Sequence, residues 1–151
     1  MNSVEEKNNA DIAASHHGNG FGCTQALLLT YGPKFGIDPK NALKIATGFA
    51  GGMARMGGIC GVITGAMMII GLAYGKVEAG DDDAKEMTYY YIDEFIDEFR
   101  LRHPAITCKE LIHLDLREPE GLRVFRQEKV MQTICPKFVK DAAEILDEIL
   151  E

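Results

Sequence analysis

The sequence predicts an all-α fold, a compact bundle of about five to seven helices around one central glycine-rich apolar helix. Three observations carry that prediction. The stretch 48–75 holds a single charged residue, Arg55, and runs uncharged from Met56 onward. The segments around it repeat their apolar residues every three or four positions, as a helix with one buried face does. No run alternates apolar and polar residues long enough to make a useful strand.

In chain order, residues 1–20 form a polar lead with Asn8, Asn9, His16, His17 and Asn19, read mainly as a flap with room for a short helix. Residues 21–31 make a helix with Leu27, Leu28 and Tyr31 on its apolar side, stopped by Gly32-Pro33. Asp38-Pro39 supplies a cap and a proline suited to the first helical position. The helix that follows spans 41–49, with Leu43, Ile45, Ala46 and Ala50 facing inward. Glycine pairs on both sides of Met53-Ala54-Arg55-Met56 predict a tight turn. The central helix then runs from Gly58 or Ile59 to Ala73. Gly57, Gly61 and Gly65 recur every four residues, a smooth stripe that admits a close helix from the same chain or from a second copy in a homodimer.

Beyond the acidic linker 78–83, residues 84–102 are the clearest amphipathic helix. Met87, Tyr91, Ile92, Phe95, Ile96 and Phe99 face in, and Asp93, Glu94, Asp97 and Glu98 face out. Asp83 is its expected cap, Arg100 and Arg102 suit its C-terminal end, and His103-Pro104 stops it. Thr107-Cys108-Lys109-Glu110 has capping-box spacing. A short helix from Pro119 to about Val130 precedes the last one, from Cys135-Pro136 to Leu150, with Phe138, Val139, Ala142, Leu146 and Ile149 on its core side. The expected organisation is a polar lead over 1–20 and a single helical cysteine-motif domain over 21–151.

A chain of 151 residues has room for one domain with a real core. Its charge is uneven: four acidic against five basic residues over 1–75, nineteen against eleven over 76–151. Without a basic track, nucleic acid is not an expected partner. Residues 56–75 approach the length of a membrane span. Glycine doublets at the start, no basic or Trp anchor at the end, and amphipathic helices that need a buried partner argue for a bundle core and no membrane span. The N-terminus lacks the basic and apolar pattern of a secretory leader, so a cytoplasmic location is expected. Neither nucleotide-binding glycine motif is present, nor is the C-x-x-C-H of covalent haem attachment. The acidic pairs on residues 93–98 read as a solvated face and not as a general acid/base site.

Cys23, Cys60, Cys108 and Cys135 each fall near a predicted helix start, where backbone donors and the helix dipole favour thiolate. Their separations match no compact C-x-x-C signature. Several readings stay open: buried space-filling cysteines, disulfides, a structural zinc site, an iron–sulfur site, or metal-free thiol–disulfide redox chemistry with the four cysteines as reactive groups. Arg55 is a candidate to stabilise clustered thiolates or an anionic substrate. Gln25 and Thr64 are candidate donors to sulfur, His16 and His17 are read as exposed lead residues, and Met53, Met56, Met67 and Met68 as core.

Phe21-Gly22-Cys23-Thr24-Gln25-Ala26, then 48–55 (GFAGGMAR), Cys60-Gly61-Val62-Ile63-Thr64-Gly65-Ala66, Thr107-Cys108-Lys109-Glu110-Leu111 and Cys135-Pro136-Lys137-Phe138-Val139 stand in order along the chain. Over about residues 19–150 this order resembles the redox-active proteins named for a C_GCAxxG_C_C cysteine pattern. It is also similar to the non-haem part of split-Soret cytochromes, where a cysteine-bound iron–sulfur centre accompanies such a domain. The resemblance implies an all-helical domain with a redox role and carries Cys23, Cys60, Cys108 and Cys135 over as candidate sulfur ligands. Thr24 and Val62 replace an alanine common beside the motif cysteines, and Ala54 replaces a glycine common before Arg55. That bulk narrows any pocket and removes no ligand.

The leading expectation is a redox or electron-transfer protein with four cysteines that converge around an iron–sulfur cluster, supported by Arg55 and by close packing at Gly61 and Gly65. Its partner would be a redox protein or a small-molecule acceptor. The alternatives are metal-free thiol–disulfide chemistry, a zinc-stabilised structural module, and a helical module that holds a small ligand in the glycine-rich groove.

Overall fold

In the computed structural model, which describes residues 8–151, the centre of the protein is helix Gly61–Tyr74. Nine α-helices occur among the described residues, with no strand: α1 (Asn9–Gly18), α2 (Cys23–Tyr31), α3 (Pro39–Ala46), α4 (Gly61–Tyr74), α5 (Asp82–Arg102), α6 (Cys108–Ile112), α7 (Pro119–Gln127), α8 (Val130–Thr133) and α9 (Cys135–Ile149). The number includes α6 and α8, which are five and four residues long. No helix among the described residues is long and apolar enough to cross a membrane.

α4 is apolar nearly all round because protein surrounds it: α2, α5 and α9 all pack against it. Val62, Ile63, Ile69 and Ile70 are fully buried, each contributing about 1.5–3 kcal/mol of transfer free energy. The glycine stripe is occupied from within the chain. A Cβ at Gly65 would lie 3.3 Å from a Leu27 methyl, so α2 sits directly on it. Gly57 is not part of the helical stripe, since α4 starts only at Gly61.

α9 closes the other side. Pro136 in its first turn needs no amide partner there. The Tyr31 hydroxyl bonds the Ala143 carbonyl at 2.9 Å and Asp147 at 2.7 Å, tying α2 to α9. α5 lies on α4 and α9 through buried Phe95 and Phe99 and through Tyr91, which stacks on Tyr74 at 4.4 Å. At its end Phe99, His103 and Phe138 form one aromatic contact. Buried His103 meets buried Asp141 at 2.7 Å, with Lys137 and Arg102 on the same carboxylate.

Several expectations shift. Residues 9–18 of the polar lead form a helix that packs on α9 and α2. α3 buries Ala42 and Ala46, while Ile45 is 54% exposed, because only small side chains fit between α3 and α2. Met87, on the turn of α5 that leaves the core, is 49% exposed. Asp81, and not Asp83, caps α5 by accepting from the Ala84 amide at 3.1 Å, so the helix starts two residues early.

The predicted turn after α3 is unusual. Gly51, Gly52, Met53, Ala54 and Arg55 are consecutively left-handed, with φ of 72°, 70°, 66°, 50° and 66°. Each non-glycine residue there costs about 1–2 kcal/mol. The turn is closed by Gly57 N–H to the Gly51 carbonyl at 3.1 Å and Gly58 N–H to the Gly52 carbonyl at 3.0 Å. It delivers the chain to Cys60.

Candidate functional site

Each of the four cysteines stands at a helix start. Cys23 is the first residue of α2, Cys60 the N-cap of α4, Cys108 the first residue of α6 and Cys135 the first of α9. Local chemistry fixes each boundary. The Gln25 side chain accepts from the Gly22 amide at 2.9 Å, closing the entry to α2. Thr107 accepts from the Glu110 amide at 3.2 Å at the entry to α6, the predicted capping contact.

Tertiary contacts then bring these starts together. The Thr24 hydroxyl donates to the Gly61 carbonyl at 2.9 Å. A Cβ added to Gly61 would stand 2.6 Å from that hydroxyl and 3.3 Å from the Cys23 Cβ, so Cys23 rests against the residue after Cys60. Cys60 and Cys108 are joined through backbone. Ile59 and Thr107 form an antiparallel bridge, Cys60 N–H donates to the Ile106 carbonyl at 2.8 Å, and Cys108 N–H donates to the Gly58 carbonyl at 2.7 Å. Cys135, at the start of α9, is the neighbour that most raises the Cys23 thiol. All four are free thiols, Cys60 and Cys135 buried, Cys23 and Cys108 half-buried.

Electrostatics tell of the same gathering. Hydrogen bonding to Cys135 and burial push the Cys23 thiol well above its ordinary value, while nearby His17 pulls the other way. Burial and then the charge of Cys23 raise Cys60, against a downward pull from the Val62 and Ile63 amides of the α4 start. Burial and Cys23 push Cys108 up to about 11. The expectation that helix starts would favour thiolate is therefore reversed at these three. The helix-end donors act at Cys60, but desolvation and neighbouring thiols outweigh them.

His17 is a further member. It is 4% exposed, on the same face of α1 as Ala10 and Ala13, and its Nε2 lies 4.0 Å from the Cys23 sulfur. The sequence reading placed it in solvent. The spacing Ala10, Ala13, His17 was the available signal, an i, i+3, i+7 face in an otherwise polar segment. His16 is half-buried. The other expected helpers serve the scaffold. Gln25 donates to the Leu43 carbonyl at 3.1 Å and to Thr47 at 3.2 Å, and Thr64 donates to the Gly61 carbonyl at 3.2 Å. Gly61 and Gly65 hold α2 against α4, as expected of close-packing positions. Arg55 is exposed on the left-handed turn and lines a groove with Leu116, Phe125 and Met131. Met56 is exposed, and Met53, Met67 and Met68 are half-buried.

Among the described residues, no three His, Cys, Asp or Glu side chains are grouped as one metal ion requires. The site's sulfurs stand on four separate helix starts.

Fold and site together define a small helical protein organised around four free cysteines. Residues 21–149 match the family described as "Putative redox-active protein (C_GCAxxG_C_C)". The chain belongs to that family. No curated protein and no solved structure matches it.

Proposed function

We propose that this chain is a cytoplasmic electron-transfer protein in which Cys23, Cys60, Cys108 and Cys135 hold an iron–sulfur cluster. The observation that supports this reading best is the meeting of four cysteine-bearing helix starts around Cys23. A bound cluster would accept and release single electrons. The chain's part is to set the four sulfurs on rigid helix starts, to keep Cys60 and Cys135 from water, and to leave Cys23 and Cys108 partly open as the side from which a donor or acceptor approaches. Its partner in this reading is another redox protein or a small-molecule acceptor. Anaerobic purification after expression with ample cluster-assembly capacity should give coloured protein with iron and acid-labile sulfide, and an EPR signal in one redox state. Colourless, iron-free protein would rule out this version.

A second reading rests on His17 beside Cys23 and on Cys135 as the thiol that most perturbs Cys23. Two thiols would become one disulfide, losing two protons and two electrons to an oxidised acceptor, with His17 taking the proton from Cys23. Iron-free protein that reversibly loses two hydrogens by mass, with Cys23 and Cys135 as the pair, would select it. Zinc in stoichiometric amount with no redox response would select the structural alternative.

A further inference from the structure

The first of two adjoining grooves, of about 420 Å³, is walled by Ala50, Ala54, Leu116, Phe125 and Met131, with Arg55 at its edge. The second, of about 430 Å³, shares Phe125 and Met131 and adds Arg126 and Lys129. Each volume is that of a small-molecule site, roughly 300–1,000 Å³. None of the three basic side chains enters an ion pair among the described residues. The chain carries a net charge of −7, yet three cations without an ion-pair partner line the two grooves that share Phe125 and Met131. That combination selects an anion with an apolar body.

The backbone points the same way. Arg55 ends the run of five left-handed residues, three of them not glycine, and Gly51, Ala54 and Arg55 of that run line the groove. Strain of this kind persists where surrounding structure fixes it and concentrates at ligand clamps. Here it sets a guanidinium at the edge of an apolar recess. The Ala54 N–H, on the same wall, makes no backbone hydrogen bond among the described residues.

We propose that these grooves bind a small organic carboxylate with an aromatic or aliphatic body, its carboxylate paired with Arg55 and its body covered by Phe125 and Met131. Arg126 and Lys129 draw the anion in from solution. The seat adjoins the sulfur site, since Ala50 on its floor packs against Gly22, beside Cys23. Binding requires no redox step, so it stands independently of the cluster and disulfide readings.

The test is an NMR titration of the reduced full-length chain with phenylacetate, and with phenylacetamide as the uncharged isostere. Phenylacetate should give saturable shifts at Ala54, Arg55, Phe125 and Met131, with Kd of about 1 mM or below. Phenylacetamide should bind about tenfold more weakly, because a charge-assisted pair is lost. Arg55→Gln should weaken phenylacetate by about the same factor, and Arg55→Lys by less. Arg55 is exposed, so both variants should keep the wild-type spectrum elsewhere. Equal affinity for acid and amide, no loss in the Gln variant, shifts confined to the apolar depression at Leu28, Ile37 and Met68, or no saturation by about 20 mM would each overturn the proposal.

Discussion

The Thr24 hydroxyl donates to the Gly61 carbonyl at 2.9 Å, joining the first turn of one cysteine-bearing helix to the first residue of another. The contact depends on the absence of a side chain at position 61. Gly61→Ala would push a methyl to 2.6 Å from that hydroxyl and 3.3 Å from the Cys23 Cβ. Overpacking at such a contact costs about 1–3 kcal/mol, more than the gain in helix propensity of roughly 1 kcal/mol. Urea unfolding should show a lower midpoint with an unchanged slope. An unaltered midpoint would mean that α2 and α4 can part at no cost.

Thr24→Val tests the hydrogen bond alone. It removes the donor from a fully buried site and keeps the shape, and should cost about 1 kcal/mol. Far-UV circular dichroism should be unchanged.

The left-handed turn gives a pair of opposite outcomes. Gly52→Ala would place a Cβ 2.5 Å from the Gly58 nitrogen and 2.6 Å from its oxygen, where only backbone can yield, and should cost about 3 kcal/mol or more. Ala54→Gly relieves a residue held at φ 50° and should stabilise by about 0.5–1 kcal/mol after the entropy added to the unfolded chain. Thermal melts of the two variants should move in opposite directions.

The thiols should be sluggish in the reduced, iron-free chain. Cys108 titrates at about 11, and Cys23 and Cys60 are also pushed up. Iodoacetamide labelling of Cys108, followed by peptide mass spectrometry, should therefore be slow at pH 7 and rise about tenfold per pH unit until near pH 11. The linkage has a matching sign. Folded values above the unfolded one mean stability that is complete below about pH 9 and falls as pH rises through the folded values. Fast labelling at neutral pH would show that the three sulfurs are not desolvated together.

Acid should act through Asp141. Burial alone would raise its carboxyl, but Lys137 and His103 hold it below the usual carboxylate range. Its contribution is present above about pH 4 and is lost as pH falls through the lowered value. Asp141→Asn should cost about 2 kcal/mol near neutrality and flatten the dependence of Tm on pH below about 4.

The cysteine positions were readable in the sequence because helix starts carry local chemistry. Thr107 with Glu110 and Pro136 after Cys135 signal their boundaries without reference to the rest of the fold. The central place of α4 was equally plain, since a nearly uncharged segment of that length has to be surrounded. What stayed hidden depended on partners distant in sequence. His17 is buried only because α1 lies on α9, and nothing near His17 announces that contact. Ile45 has the right spacing to face inward, yet the closeness of α3 and α2 leaves space only for Ala42 and Ala46. The sign of the thiol shifts escaped for the same reason. A helix end is a local property, whereas desolvation and the charge of a neighbouring sulfur exist only after the elements meet.

The backbone clasp between Ile59 and Thr107 has a consequence for how the protein is made. It unites segments 48 residues apart, and Cys23 and Cys135 stand still further apart in the chain. Until α9 has packed in place the fourth sulfur is not held with the others, and contacts so distant in sequence slow folding. Any prosthetic group held by all four cysteines would therefore be completed only in a chain already close to its final shape. Its incorporation would report that folding is complete.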